Sequence, residues 1–243
     1  MPAEREKQEF EILSILEEAG EPLGSGQLSQ LLNERGLEVS EATVGRILSE
    51  MDRKQLTIKL GFQGRVISAG GRDKLQEFRS ARHRQKYGNR FIETLKTKKK
   101  EDLIDILVAR RAIERELARL AALHATDMEI SLLEAVLREQ EQYTAQKQMT
   151  AEQDVRFHRL VAIAAKNRVL AAALDLIRHD GQLSPILEYI RTQVGGKLAV
   201  GHGKVLKAIK ERDPDEAERA MMEHIESLIA DVQKYWSSQE DNI

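Results

Sequence analysis

The sequence predicts a mostly α-helical fold in two parts: three short helices closed by a β-hairpin, then an antiparallel all-α bundle of six or seven helices. Three observations carry that expectation. Aromatic residues make up only 4% of the chain, while Ala, Leu, Ile, Glu, Lys and Arg recur throughout, which is the composition of helix bundles rather than β-sandwiches. Hydrophobic residues at 41% and charged residues at 32% supply a packed core and argue against wholesale disorder. Helical apolar spacing runs through most of the chain, and two short strand-like runs stand out between residues 57 and 68.

The first helix is read over about Glu4 to Ala19, where Phe10, Ile12, Leu13, Ile15 and Leu16 lie among acids and Gly20 and Pro22 end the run. A second follows from about Ser25 to Arg35, with Leu28, Leu31 and Leu32 on one face and Gly36 just past its end. Ser40 fits an N-cap for a third, in which Val44, Ile47, Leu48 and Met51 repeat at helical spacing and leave Glu41, Thr43, Arg46 and Glu50 facing out. Thr57 to Leu60 and Arg65 to Ser68 then read as two strands, joined through Gly61-Phe62-Gln63-Gly64. Three helices and a hairpin in this order form a winged helix-turn-helix, in which the third helix fits a major groove and the hairpin reaches backbone or minor groove. The candidates to face double-stranded DNA are Ser40, Thr43 and Arg46 on the helix, with Lys59, Gln63 and Arg65 on the hairpin. A solvated surface, or a contact to protein, is the plainer reading of the same residues.

Ala69-Gly70-Gly71 is expected to break the pattern, and Lys74 to Arg90 reads as a basic stretch that could be helical, closed by Thr97 to Lys100. Although the net charge is only −2, basic residues heavily outnumber acids between Arg46 and Lys100, and the flanking segments are net acidic. Such a block attracts phosphates without making the whole chain adhesive. The domains are therefore drawn as 1–70, a basic connector 71–100, and 101–243.

From Glu101 to Ser238 the sequence reads as helix after helix. The first is marked by Leu103, Ile106, Leu107, Ile113, Leu117, Leu120 and Leu123, and the second runs from about Asp127, a candidate N-cap, to Lys147. Further helices cover about Ala151 to Lys166, Arg168 to Arg178, Ser184 to Val194, Gly203 to Lys210 and Pro214 to Tyr235. Asp154 and His158 stand four apart on one helical face, a spacing at which two side chains can grip one ion. His202 begins a later helix, and His224 lies inside the last, near Met221 and Ile225. One carboxylate and three imidazoles suit zinc, nickel or a similar divalent ion. Taken alone, a buried histidine is more often a hydrogen-bonded core residue than a ligand.

The run from Asp154 through His158 to Asn167, the run from His202 to Ile209, and Asp213, Ala217, Ala220, Met221, His224 and Ile225 together resemble the FCD sensor domain, the C-terminal domain of the FadR branch of GntR-type transcription regulators. Arg110, Arg111, Glu114, Ala118, Ala121 and Ala122 are similar to that family's first helix, so the resemblance spans about residues 101 to 236. It implies a six- or seven-helix bundle that binds a small carboxylic acid, often through a divalent metal held at Asp154, His158, His202 and His224. Arg110 matches an arginine that faces the ligand cavity in the family, and a structural pairing with Glu114 stands beside that reading. Asn167 is expected to cap a helix, and His83, His124 and His179 match no ligand position. Residues 8 to 70, through Gly36 to Val44 and Gly64 to Ile67, instead resemble the winged helices of NrpR-type nitrogen regulators and of ribonuclease R. That departs from the usual GntR pairing and weakens any operator sequence carried over from the family.

The implied function is a DNA-binding transcription regulator, a homodimer on an operator, whose bundle senses an acid; the alternative is a DNA-binding protein whose bundle only dimerises. An enzyme is disfavoured, since no phosphate loop, nucleophile elbow or dinucleotide fingerprint occurs. Cysteine is absent, which excludes disulfides, thiolate catalysis and cysteine zinc sites. No apolar run approaches the roughly 20 residues that span a bilayer, and the first residues lack the apolar segment of a secretory signal. A cytoplasmic protein without membrane partners is expected.

Overall fold

The computed structural model describes residues 2–96, 99–178, 183–195 and 199–240. They form α1 (Pro2–Ala19), α2 (Ser25–Glu34), α3 (Glu41–Arg53), β1 (Thr57–Lys59), β2 (Arg65–Ile67), α4 (Ala69–Thr94), α5 (Lys100–His124), α6 (Asp127–Ala145), α7 (Ala151–Ala164), α8 (Arg168–Ile177), α9 (Leu183–Val194), α10 (Ala199–Lys210) and α11 (Pro214–Glu240). The chain divides into two compact units, 1–89 and 90–243, each with its own core.

In the first unit the apolar faces of α1, α2 and α3 converge on Ile12, Leu16, Leu28, Leu32, Val44, Ile47, Leu48 and Met51, all buried. Gly36, at φ +77°, lets the chain leave α2 while Leu37 N–H donates to Leu32 O at 2.9 Å, the satisfied C-terminus that a glycine at this place permits. Ser40 caps α3, its Oγ accepting from Thr43 N at 3.3 Å. β1 and β2 pair antiparallel, Thr57 with Ile67, Ile58 with Val66 and Lys59 with Arg65. Leu23 adds a bridge to this hairpin, with Leu23 N donating to Arg65 O at 3.0 Å and Arg65 N to Leu23 O at 2.9 Å. Gly64, at φ +123°, makes that approach possible, since a Cβ there would overlap the Leu23 backbone.

Ala69-Gly70-Gly71 does not break the chain, as its two glycines led us to expect; it opens α4. Ser68 supplies the cap, its Oγ accepting from Gly71 N at 2.9 Å, and Gly71 sits against Leu56 O where a Cβ would clash. The start of α4 belongs to the N-terminal core through Leu75, with Phe78 packed edge-on to Phe10. Thr97 and Lys98 of the basic stretch lie outside the described residues.

The second unit is a bundle of seven helices among the described residues, built around the long α5 and α11, 25 and 27 residues. Leu103, Leu107, Leu117, Ala118, Ala121, Phe157, Val161, Val205, Ile209, Ala217, Met221, Ile225 and Val232 share its core. Alanines along α5 and α11 bring helices close, as short side chains must in a well-packed interior. The cap of α6 is Thr126 rather than Asp127: Thr126 Oγ1 accepts from Glu129 N and Glu129 reaches back to Thr126 N, which leaves Asp127 as the first helical residue. Asn167 caps α8, its Oδ1 accepting from Val169 N and Leu170 N, both at 3.2 Å. Near the C-terminus Trp236 packs half-buried on this core, edge-on to Tyr235 at 5.1 Å.

Candidate functional site

Asp154 and His158 project from α7 into the bundle because the helical turn sets them on the face that also carries Phe157 and Val161. His202 comes from α10 and His224 from α11, and all four are buried. One ligand atom from each lies within 4.8 Å of the others. His202 is inside α10, not at its start, because the helix runs from Ala199 to Lys210. Gly201 is where the absence of a side chain matters, since a Cβ there would overlap the His224 ring.

Three of the four side chains are aimed by a partner behind them. Gln140 Oε1 stands 2.8 Å from His202 Nδ1, so that nitrogen carries the proton and Nε2 turns its lone pair inward. Glu114 Oε2 contacts His158 Nδ1 in the same manner. Arg178 Nη2 donates to Asp154 Oδ2 at 2.7 Å and Ser184 Oγ donates to the same oxygen at 3.2 Å, which leaves Oδ1 facing the histidines. His158 Nε2 and His202 Nε2 are 3.3 Å apart, and each is 3.4 Å from Asp154 Oδ1. Donors held about 2.0–2.1 Å from one tetrahedral ion stand roughly 3.4 Å apart, so the three spacings fit a common ion. Among the described residues neither ring nitrogen of His224 has a hydrogen-bond partner, although the ring is buried 4.6 Å from that of His202. Phe157 stacks on His202 at 4.2 Å and 17°, fixing the plane of that imidazole.

The electrostatics agree with such a donor set. Burial pushes His202 down to about 4 and His224 well below its usual value, so both are neutral at pH 7, the form that can donate to a metal. For Asp154 burial acts upward, but Arg178 and His158 outweigh it and hold the carboxyl well below its usual range. Glu114 behaves alike, lowered by Arg110 and His158 against the upward push of burial. Arg110 itself is fully buried, with Nε donating to Glu114 Oε1 at 2.6 Å. Its Nη1 and Nη2 have no acceptor among the described residues, and it borders a small cleft shared with Asp154, Ser184, Leu187 and Glu188. The pairing with Glu114 read from the sequence is thus present.

Gln140, Arg178 and Ser184 were not anticipated. Gln140 left one trace in the sequence, a polar residue at the end of the buried stripe Ile130, Leu133 and Val136. Arg178 and Ser184 left none, because only the packing of α8 and α9 on α7 brings them to Asp154. Of the remaining histidines, His83 lies 5.5 Å from Tyr87, His124 ends α5, and His179 lies outside the described residues.

The DNA-facing candidates fall into two sets. Ser40 Oγ is 3.0 Å from Thr43 Oγ1, to which Arg46 Nη2 donates at 3.1 Å, so these three form a chain along the outer face of α3. Lys59 and Gln63 are exposed on the hairpin. Arg65 is set apart: its Nε donates to Asp52 Oδ2 at 2.9 Å, beside Thr57 Oγ1 donating to Asp52 Oδ1 at 2.6 Å, a clamp between hairpin and α3.

Comparison with known proteins places these features. The FCD domain family matches residues 105–227, which include Arg110 and all four clustered side chains, and the ribonuclease R winged-helix domain matches 10–75. The Exu regulon transcriptional regulator of Escherichia coli is 31% identical over 128 residues, 51% of this chain and 48% of its own length. The transcriptional repressor NanR of Edwardsiella tarda is 32% identical over 124 residues, 48% of this chain and 46% of its own. The chain therefore spans about half the length of these relatives. The global nitrogen regulator NrpR of Methanococcus maripaludis is 39% identical over 69 residues, 28% of this chain and 13% of its own. These relatives are named as regulators, not as enzymes. Among solved structures, a Streptococcus agalactiae GntR protein aligns over 93% of this chain and 99% of its own with 21% identity and a TM-score of 0.48.

Proposed function

Because the chain belongs to the FCD-domain family, the FadR branch of GntR-type transcription regulators, we propose that it is a DNA-binding regulator whose bundle holds a divalent metal ion and a small carboxylic acid that modulates operator binding. In this reading residues 1–70 meet DNA, 71–100 join, and 101–243 sense, in a cytoplasmic homodimer on a two-fold operator. Among the described residues no helix is long and apolar enough to cross a membrane.

The observation that carries the metal is the buried, convergent set of Asp154, His158, His202 and His224, with both nitrogens of His224 lacking a partner. Buried polar atoms without partners cost about 1–3 kcal/mol each, a cost that coordination removes. Nitrogen-rich ligation with one carboxylate suits zinc or nickel. Such an ion offers open coordination positions to an acid. Arg110, with Nη1 and Nη2 unsatisfied at the edge of the same cluster, is the group to hold a carboxylate in bidentate fashion. On the DNA side Ser40, Thr43 and Arg46 read the major groove, while Lys59 and Gln63 contact the backbone and Arg65 secures the hairpin. An acid changes DNA affinity only by the difference between its affinities for the two arrangements of the protein.

The test is metal content of protein purified without chelator, beside the Asp154→Ala, His158→Ala double variant. About one ion per chain is expected, absent from the variant, with zinc or nickel raising the melting temperature of the parent only. No ion, and no metal-dependent shift, would reduce the bundle to a dimerisation module.

A further inference from the structure

We propose that Phe62, at the tip of the hairpin, is an apolar wedge that enters the minor groove of duplex DNA and partly unstacks one base step. The inference rests on the DNA-binding reading above and adds to it a contact of a different chemistry. Gly61, at φ +54°, turns the chain so that Gln63 N donates to Leu60 O at 3.0 Å and Leu60 N to Gly64 O at 2.9 Å. Phe62 occupies the outermost place of that turn, where small polar residues are the usual choice, and its side chain stands wholly in solvent. Strand alternation sends Thr57 and Ile67 into the core and sets Ile58 on the opposite face, where Ile58 and Leu60 are 50% and 41% exposed. The apolar surface is therefore a narrow stripe ending in one aromatic ring.

Two further observations select DNA as the occupant. The hairpin is braced, by the Leu23 bridge on one edge and by the Asp52 clamp on Thr57 and Arg65, so the ring is presented on a rigid arm. The cation of its own hairpin is free: among the described residues Lys59 has no ion pair, whereas Asp52, the carboxylate that reaches the hairpin, is committed to Arg65. A protruding ring on a hairpin with an unpaired cation suits a groove roughly 6 Å wide with phosphate walls, and inserted Phe or Leu side chains are a known means of kinking duplexes there.

The experiment uses the full chain and a duplex selected by it from a randomised pool, with 2-aminopurine substituted in turn at steps flanking the major-groove contact. The expected result is a rise in fluorescence at one step on binding. Phe62→Ala should abolish that rise and weaken binding on the order of tenfold or more, leaving the salt dependence of log K unchanged because no phosphate contact is lost. Lys59→Ala should keep the rise and reduce the salt slope by about one. If the parent binds the duplex and Phe62→Ala binds it equally, with equal fluorescence, the wedge is overturned while the DNA reading stands. If Phe62→Ala instead changes only the sedimentation of the protein, the stripe docks protein and the wedge is again overturned. A parent chain that selects no duplex removes both.

Discussion

Gln140 shows how much of the proposed metal site lies behind its candidate ligands. It touches no ion, yet its contact with His202 Nδ1 decides which nitrogen of that ring is available. Replacement by leucine keeps the volume and the helix but leaves the buried imidazole free to rotate or to change tautomer. Gln140→Leu should weaken zinc or nickel binding about 10–100-fold while the metal-free protein melts within a few degrees of the parent, as competition with a chromophoric chelator and a thermal scan would establish. Unchanged affinity would mean that Phe157 stacking alone sets the ring. The same residue marks the boundary of what sequence conveys. Asp154 and His158 announce themselves by one-turn spacing, because both partners share a helix. His202 and His224 sit on two other helices, so no local period joins them to the pair, and only the resemblance of longer runs did so. Arg178 and Ser184 meet Asp154 through packing that no spacing encodes.

Helix starts were legible at Ser40 and Asn167, whose side chains cap as expected, but not at α6, capped by Thr126 rather than Asp127, nor at α4, capped by Ser68 where two glycines follow. Glycine in a sequence suggests a break because it gains most from the unfolded chain. Gly71 and Gly201 both lie inside helices, the first against Leu56 O and the second against the His224 ring. Both are there for close approach, a demand that appears only once neighbours are in place. Gly201→Ala would raise the local helix propensity of α10 by about 1 kcal/mol yet push His224 from its place. The expected outcome is a protein that keeps its helical circular dichroism but loses most of its bound metal. If Gly201→Ala retains a full equivalent of ion, α10 can shift without cost and the closeness of these helices is incidental.

For the molecule as a whole, the buried cluster ties stability to pH when metal is withheld. An unfolded His202 titrates near the ordinary value of 6.5, and the folded one near 4. The folded state therefore binds fewer protons between these values. Its stabilising contribution is complete above about 6.5 and is lost as pH falls towards 4, a loss on the order of 3 kcal/mol. His224, also lowered by burial, acts with the same sign, and Asp154, lowered by Arg178 against burial, extends the loss to more acid solution. Chelated protein should melt progressively lower from pH 7 to pH 4; a melting temperature that holds or rises over that interval would contradict the burial of these rings. The two units can be told apart while this is measured. Trp236 is the sole tryptophan and packs on the core of the second unit, whereas the first unit contains none. Light absorbed at the red edge of the protein spectrum therefore excites the bundle alone, and its emission reports acid-unfolding, and any binding of the proposed metal or acid, in that half without a label, while the first unit stays dark.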